Sequence, residues 1–307
     1  MSKLPRILIV GSAGQVGVEL QRSFAGAGEI ICHDRDSVDL AVPEQVRALV
    51  RTVAPDIILN AAAYTAVDRA EVEQEASIAV NATAPGILAE EALRRDALLV
   101  HYSTDYVFDG SKTSPWLETD APNPLNFYGA SKLAGEKAIQ QVGGKFLIFR
   151  TSWVYGPYGN NFMLTMLRLA RERESLSIVD DQIGAPTSSI ELAKATRTIT
   201  AGVMSDQFGA TFVWAGLYHM TCVGSVSWCG FARAIFARAD VLLQGNVPRV
   251  TPIPSAEYTT LANRPRNSQL SNIKLKNSFN VQLEHWEAAL DYVIRRLTNS
   301  QGSPDSM

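Results

Sequence analysis

Residues 6 to 24 constrain this chain most. Arg6 to Val10, RILIV, is an apolar run that reads as a central parallel strand. It passes directly into GSAGQVG, with Gly11, Gly14 and Gly17, and then into VELQRSF with helical periodicity. A strand, a glycine-rich turn and a helix amino terminus form a pyrophosphate site. Glycine removes the Cβ where backbone must approach phosphate, and free N–H groups with the helix dipole favour an anion. A glycine fingerprint alone is weak; here it stands in the required strand–turn–helix context.

The rest of the amino-terminal half repeats the theme. A second strand is expected at Glu29–His33, with Asp34 and Arg35 at its end, roughly twenty residues past the glycines. An acid there favours NAD through a ribose hydroxyl, and an arginine favours NADP through a 2′-phosphate, so the preference stays open. Asp39, before Leu40 and a helix at Pro43, either caps that region or meets the adenine amine. A strand at 56–60 leads into AAAYTAVDRAE, whose small residues Ala61 to Ala63 let a cofactor lie close to the backbone. Asp68 and Glu71 read as helix-start acids, capped and solvated. A helix over 80–92 then precedes another strand, Leu98 onward. Alternating strands and helices predict an α/β fold, a Rossmann-type doubly wound parallel sheet, with a smaller carboxyl-terminal substrate lobe. The expected division is 1–150 for the dinucleotide domain, joined by returning segments of about 178–222. The lobe would take most of 151–297, and 298–307 would be a frayed tail.

The stretch HYSTDYVFDG and the later PLNFYGASK carry the chemistry. Tyr128 and Lys132 stand four residues apart at a helix start, so both leave one face. Ser103, Thr104 and Asp105 follow the apolar run Leu98-Leu99-Val100. A free tyrosine has a pKa near ~10, and useful exchange near neutrality needs it to fall by roughly three units, about 4 kcal/mol. A lysine ammonium beside it supplies the right sign. Thr104 is placed to hydrogen-bond the oxygen that receives the proton. Residues 111–126, rich in Pro, Ser, Asp and Thr, form either an ordering lid or a plain surface loop. Trp153 falls just past the strand KFLIFR, where it either stacks on a sugar or joins the core. Arg264 and Arg266 either hold a diphosphate or are an exposed pair. Asp180 and Asp181 are consecutive and face opposite ways, which argues against a paired acid–base role.

Composition excludes several classes. The net charge of −3 and the lack of a basic run give no reason to expect nucleic acid. No apolar run reaches ~18 residues, so no membrane span is expected. Met1 to Pro5 lacks a signal-peptide apolar core distinct from the first strand. Three cysteines, Cys32, Cys222 and Cys229, without CxxC fit a reducing, cytoplasmic setting. The histidines make no metal spacing, and no catalytic metal is expected.

Taken together, the glycine spacing, Thr104 and Tyr128-x-x-x-Lys132 resemble the extended short-chain dehydrogenase/reductases. The chain is similar over roughly residues 5–297 to their dTDP-4-dehydrorhamnose reductase family. GSAGQVGVELQ, NAAAYTAVDRAE, STDYVFDG, NPLNFYGASKLAGE, RTSWVYG, DDQIGAPTS and RPRNSQL stand in that family's order. The resemblance implies reduction of the C4 ketone of a nucleotide sugar, dTDP-4-dehydro-L-rhamnose, by NADPH or NADH. It implies Tyr128 as proton donor, Lys132 as the lysine that lowers the tyrosine pKa and holds the nicotinamide ribose, and Thr104 as the hydroxyl orienting the ketone. It matches Gly14, Gln15, Val16, Asp39, Leu40, Ala62, Ala63 and Tyr64 to cofactor contacts, and Val67, Asp105, Tyr106 and Trp153 to sugar-side positions. Some members form a homodimer, in cases around a metal whose ligands find no secure match here. A related dehydratase would need a glutamate after Asp105, where Tyr106 stands. A C4 epimerase would keep its cofactor bound. A non-catalytic subunit like the regulatory subunit of methionine adenosyltransferase would retain the fold without turnover.

Overall fold

The structure, a computed structural model, describes residues 4–209 and 213–301. Strands β1 (Arg6–Val10), β2 (Glu29–His33), β3 (Ile57–Asn60), β4 (Leu98–Thr104) and β5 (Phe146–Thr151) form a parallel sheet. A sixth strand, Gly216–His219, pairs in parallel with β5 and closes the order as sixth–β5–β4–β3–β1–β2. The order reverses between β1 and β3. That switch point is where an open α/β sheet leaves a crevice at its carboxyl ends.

Burial on both faces explains the apolar runs. Ile7 and Ile9 of β1 pack with Leu20 and Phe24 of helix α1 (Gln15–Phe24), while Leu8 and Val10 pack with Val46 and Val50 of helix α2 (Pro43–Val53). The period-two alternation of a strand thus feeds two cores rather than one core and solvent. Each such aliphatic side chain contributes about 1.5–3 kcal/mol by burial.

The helix expected over 80–92 begins earlier, at Gln74, and passes through a π-helical turn, Ala79–Thr83, before Ala84–Arg94. That turn holds the buried Asn81, whose amide bonds both the N–H and the carbonyl of Tyr64. The strand expected from Asp56 starts at Ile57; the Asp56 backbone N–H still donates to the Arg6 carbonyl at 2.9 Å, and its carboxylate accepts the Arg6 N–H.

Past residue 151 three short strand pairs replace the long sheet. Ser175–Val179 lies parallel to Arg249–Ile253, Ile183–Gly184 antiparallel to Val226–Ser227, and Val154–Tyr155 parallel to Thr187–Ser188. The helix Ser189–Met204 returns to pack on α1. The final helix runs Trp286–Gln301, so residues 298–301, expected as frayed tail, are helical. The expected tail beyond 301 lies outside the described residues. Trp286, Leu290 and Val293 of that helix are buried. Among the described residues, no helix is long and apolar enough to cross a membrane.

Candidate active site

β1 and β3 end level with each other, Val10 against Asn60, and β4 pairs with them at His101 and runs on to Thr104. Chain leaving each strand therefore enters one cleft. Gly11 adopts φ +79°, and a Cβ there would stand 2.6 Å from the Ala62 nitrogen. A side chain at Gly17 would collide with the Gly11 carbonyl oxygen. Gly14 is the N-cap of α1 and gives it no side-chain cap, which leaves the first N–H groups of that helix free of side-chain partners. This glycine cradle at a helix amino terminus fits a dinucleotide pyrophosphate. Gln15 ties the cradle to a distant loop, donating to the Asn160 carbonyl at 3.3 Å and accepting from Asn161 Nδ2 at 2.9 Å. Val16 packs against the core on α1.

The opposite wall is the turn after β3. The Ala62 N–H donates to Asn60 Oδ1 at 3.2 Å, and the Tyr64 hydroxyl to Glu73 Oε2 at 2.6 Å. Ala62, Ala63 and Tyr64 are part-exposed along it. The Asp39 carboxylate accepts the Ala41 N–H at 2.9 Å, within the turn that leads to α2. Leu40 packs on the core under α2. Asp34 is occupied with its own turn, accepting from the Asp36 N–H and the Ser37 hydroxyl, while Arg35 is exposed.

Tyr128 sits in the first turn of the helix Phe127–Val142. Two devices fix that turn. Asn126 is its N-cap, accepting from the Gly129 N–H at 2.8 Å, and Glu71 accepts the Phe127 N–H at 2.8 Å. The second reach is unavailable to a solvated helix-start acid. Glu71 is thus part of the tyrosine's support, and Asp68 likewise accepts the Ala262 N–H and pairs with Arg264 at 3.0 Å. Arg264 is spoken for, and Arg266 is exposed.

The phenol meets Thr104 from the end of β4, packs edge-on to Tyr106 at 5.7 Å, and is half-buried. Thr104 also donates to Asp105 Oδ1 at 3.1 Å and accepts from the Tyr106 N–H. Burial pushes the Asp105 carboxyl up to about 6, against hydrogen bonding from Ser268 and Thr104. Val67 opens the short helix Val67–Ala70 nearby in sequence to these supports.

The Lys132 side-chain nitrogen turns inward, donating to the Tyr102 carbonyl at 2.6 Å and standing 3.2 Å from His101 Nε2. Burial raises Tyr128 to about 12, the Thr104 hydroxyl pulling it down and the Asp105 charge adding to the rise. Burial also lowers Lys132 to about 8, with Glu136 opposing. The buried amine must find partners, and the strand beneath offers them before the phenol does.

Trp153, two residues past β5, has φ +48° and stacks on Trp228 with ring centroids 3.5 Å apart. A side chain at Gly184 would collide with its indole. Much of the ring is thus covered by protein. The 111–126 segment is pinned rather than free: Trp116 stacks on Phe108 at 4.5 Å, its backbone N–H donates to the Gln269 carbonyl, and its indole N–H donates to the Asn267 carbonyl at 3.0 Å. Asp180 and Asp181 serve different partners, Ser227 and Ser255. Sequence reasoning missed Asn60 and His101 on strands and Asn81 and Glu136 on helices; only their burial in the folded protein marks them, and polarity within apolar runs was the one available signal.

A glycine cradle at the switch point beside a threonine and a helix-borne tyrosine and lysine defines a Rossmann-type oxidoreductase of the short-chain dehydrogenase/reductase class. The chain matches the RmlD substrate binding domain family over residues 5–299. It is 47% identical over 296 residues to the dTDP-4-dehydrorhamnose reductase of Burkholderia thailandensis, covering 95% of this chain and 99% of that one. It is 44% identical to that of Escherichia coli K12 over 300 residues, covering 95% and 97%. The crystal structure of dTDP-4-dehydrorhamnose reductase from Bacillus anthracis in complex with NADP superposes with a TM-score of 0.84 at 37% identity, covering 96% of this chain and 100% of that chain. The chain belongs to the dTDP-4-dehydrorhamnose reductase family.

Proposed function

We propose that this protein reduces the C4 ketone of dTDP-4-dehydro-L-rhamnose to dTDP-L-rhamnose with NADPH or NADH, the last step of dTDP-rhamnose formation. The observation that carries the reading is the meeting of Tyr128 with Thr104 at the end of β4, in the same sheet whose first strand leads into the glycine cradle. The bound nicotinamide supplies the hydride. Thr104 holds the ketone oxygen, and Tyr128 gives that oxygen its proton. A phenol that stays protonated well above neutrality is in the right state to act as acid. Gly11, Gly14, Gln15, Val16 and Gly17 hold the pyrophosphate side, Asp34, Arg35, Asp39 and Leu40 the adenosine side, and Ala62, Ala63 and Tyr64 the opposite wall. Val67, Asp105, Tyr106 and Trp153 shape the sugar side, with Lys132 supporting the nicotinamide ribose. Residues 1–150, with returning segments of about 178–222, make the dinucleotide part, and most of 151–297 the substrate lobe. Three unpaired cysteines support a cytoplasmic setting, and family resemblance supports a homodimer.

The test is turnover followed at 340 nm with the ketosugar and each nicotinamide. Tyr128→Phe should lower kcat by ~10²–10⁴-fold, with dinucleotide affinity little changed. Parent-rate turnover by that variant would remove the acid assignment. A tightly held dinucleotide with no net oxidation would point to an epimerase instead.

A further inference from the structure

Asn60 on β3, His101 on β4 and Lys132 on the tyrosine helix form a buried line, with relative exposures of 1%, 0% and 1%. His101 Nδ1 stands 3.0 Å from Asn60 Nδ2, and its Nε2 stands 3.2 Å from Lys132 Nζ. The hydrogen-bond polarity of the line is set at its far end. The Ala62 backbone N–H points at the Asn60 side chain, 3.2 Å from Oδ1. A backbone N–H can only donate, so that atom is the oxygen and the amide nitrogen faces His101. An amide NH₂ also only donates, so His101 Nδ1 must be the bare lone pair. A neutral imidazole carries one ring proton, which therefore sits on Nε2 and points at Lys132. An ammonium has three donors and no lone pair, so it would meet that N–H head-on; a neutral amine accepts it and still donates to Tyr102.

We infer that Asn60 and His101 are positioning residues that select the neutral amine of Lys132 in the cofactor-free enzyme. Burial keeps His101 itself uncharged, far below its ordinary range, and the same burial lowers Lys132. The groups facing Lys132 are few. Glu136, on its own helix, opposes the effect, but it is committed to Arg150 of β5 at 2.6 Å and to Ser103 of β4. Tyr128 lies one turn back on the helix, β3 presents neutral Asn60, and β4 presents His101 and the Tyr102 carbonyl. Charging Lys132 would require the line to reverse, and turning the Asn60 amide would set its NH₂ against the Ala62 N–H. The protonation of Lys132 is thereby linked to the turn that Gly11 abuts in the dinucleotide cradle. This deepens the proposed reaction and rests on it only for what Lys132 does during turnover.

The test reads ring protons directly. Cofactor-free protein carrying ¹⁵N-histidine is observed by long-range ¹H–¹⁵N correlation at pH 9. The chain has four histidines, and His101→Gln assigns the relevant signals. The Nε2–H tautomer is expected at His101; an Nδ1–H tautomer would overturn the inference. In Asn60→Asp the carboxylate can only accept, so the tautomer should switch to Nδ1–H. The Lys132 midpoint, followed by its ¹⁵Nζ shift, should rise by about one unit or more. An unchanged tautomer and midpoint there would count against the line. His101→Gln gives an independent arm, because its amide oxygen can accept from the ammonium and should raise the same midpoint; no rise overturns the role of His101. Since none of these readouts uses turnover, they can fail or succeed apart from Tyr128→Phe.

Discussion

At Asp105 the fold and the site pull in opposite directions. The carboxyl is 3% exposed, and burial lifts it to about 6 from an ordinary 3.8. An unfolded aspartate sheds its proton near 3.8, whereas the native one holds it to about 6. Between those values the native state binds more protons, so stability falls as pH rises from about 4 to about 6. The cost above that window is on the order of 3 kcal/mol. Asp105→Asn should remove this slope and raise the melting temperature at pH 7, checked by thermal melts from pH 4 to 8; a variant that keeps the parent's slope would assign the titration elsewhere. The type and position of Asp105, Thr104 and Tyr128 were legible in the chain because they crowd two short motifs. The inward turn of Lys132 was not, because its partners sit on β4, a strand whose register against the tyrosine helix no local spacing reveals.

Elements carry the site through their ends. The tyrosine helix begins where Asn126 caps it, and the same side chain donates to the Asn263 carbonyl at 2.8 Å. Asn126→Ala should cost about 0.5–2 kcal/mol, read as a lower urea midpoint at unchanged slope, with turnover reduced as Tyr128 loses its fixed place. The turn before α1 is the counterpart. Gly11→Ala would impose a Cβ at φ +79° and 2.6 Å from the Ala62 nitrogen, so backbone must move. Dinucleotide affinity, measured by calorimetric titration with NADPH, should fall ~10-fold or more, on the scale of 1.4 kcal/mol for each tenfold; parent affinity would show that the cradle yields freely. Strands β1 to β5 and most helices follow from apolar periodicity and glycine punctuation. The π-helical turn at Ala79–Thr83 does not, since it exists to bring Asn81 to the Tyr64 backbone 17 residues away.

For the whole molecule, the two parts of the chain are not separable by a cut. The sixth strand, Gly216–His219, covers the edge of β5, and the helix Ser189–Met204 covers α1. A fragment of residues 1–150 should therefore expose a buried sheet edge and an apolar helix face, and aggregate instead of folding as a nucleotide-binding unit. Solubility and circular dichroism of that fragment check this; a soluble, cooperatively melting fragment would contradict it. The crossings themselves were only coarsely readable, because contacts such as Asp68 with Arg264 span 196 residues. The indole of Trp153 shows what such crossings do over time. It is held between Trp228 and the bare backbone of Gly184, three positions from three separate stretches of chain. A bulkier residue at one requires a smaller one at another, so drift here must proceed by compensated pairs. This corner of the protein can diversify only along those narrow mutational routes.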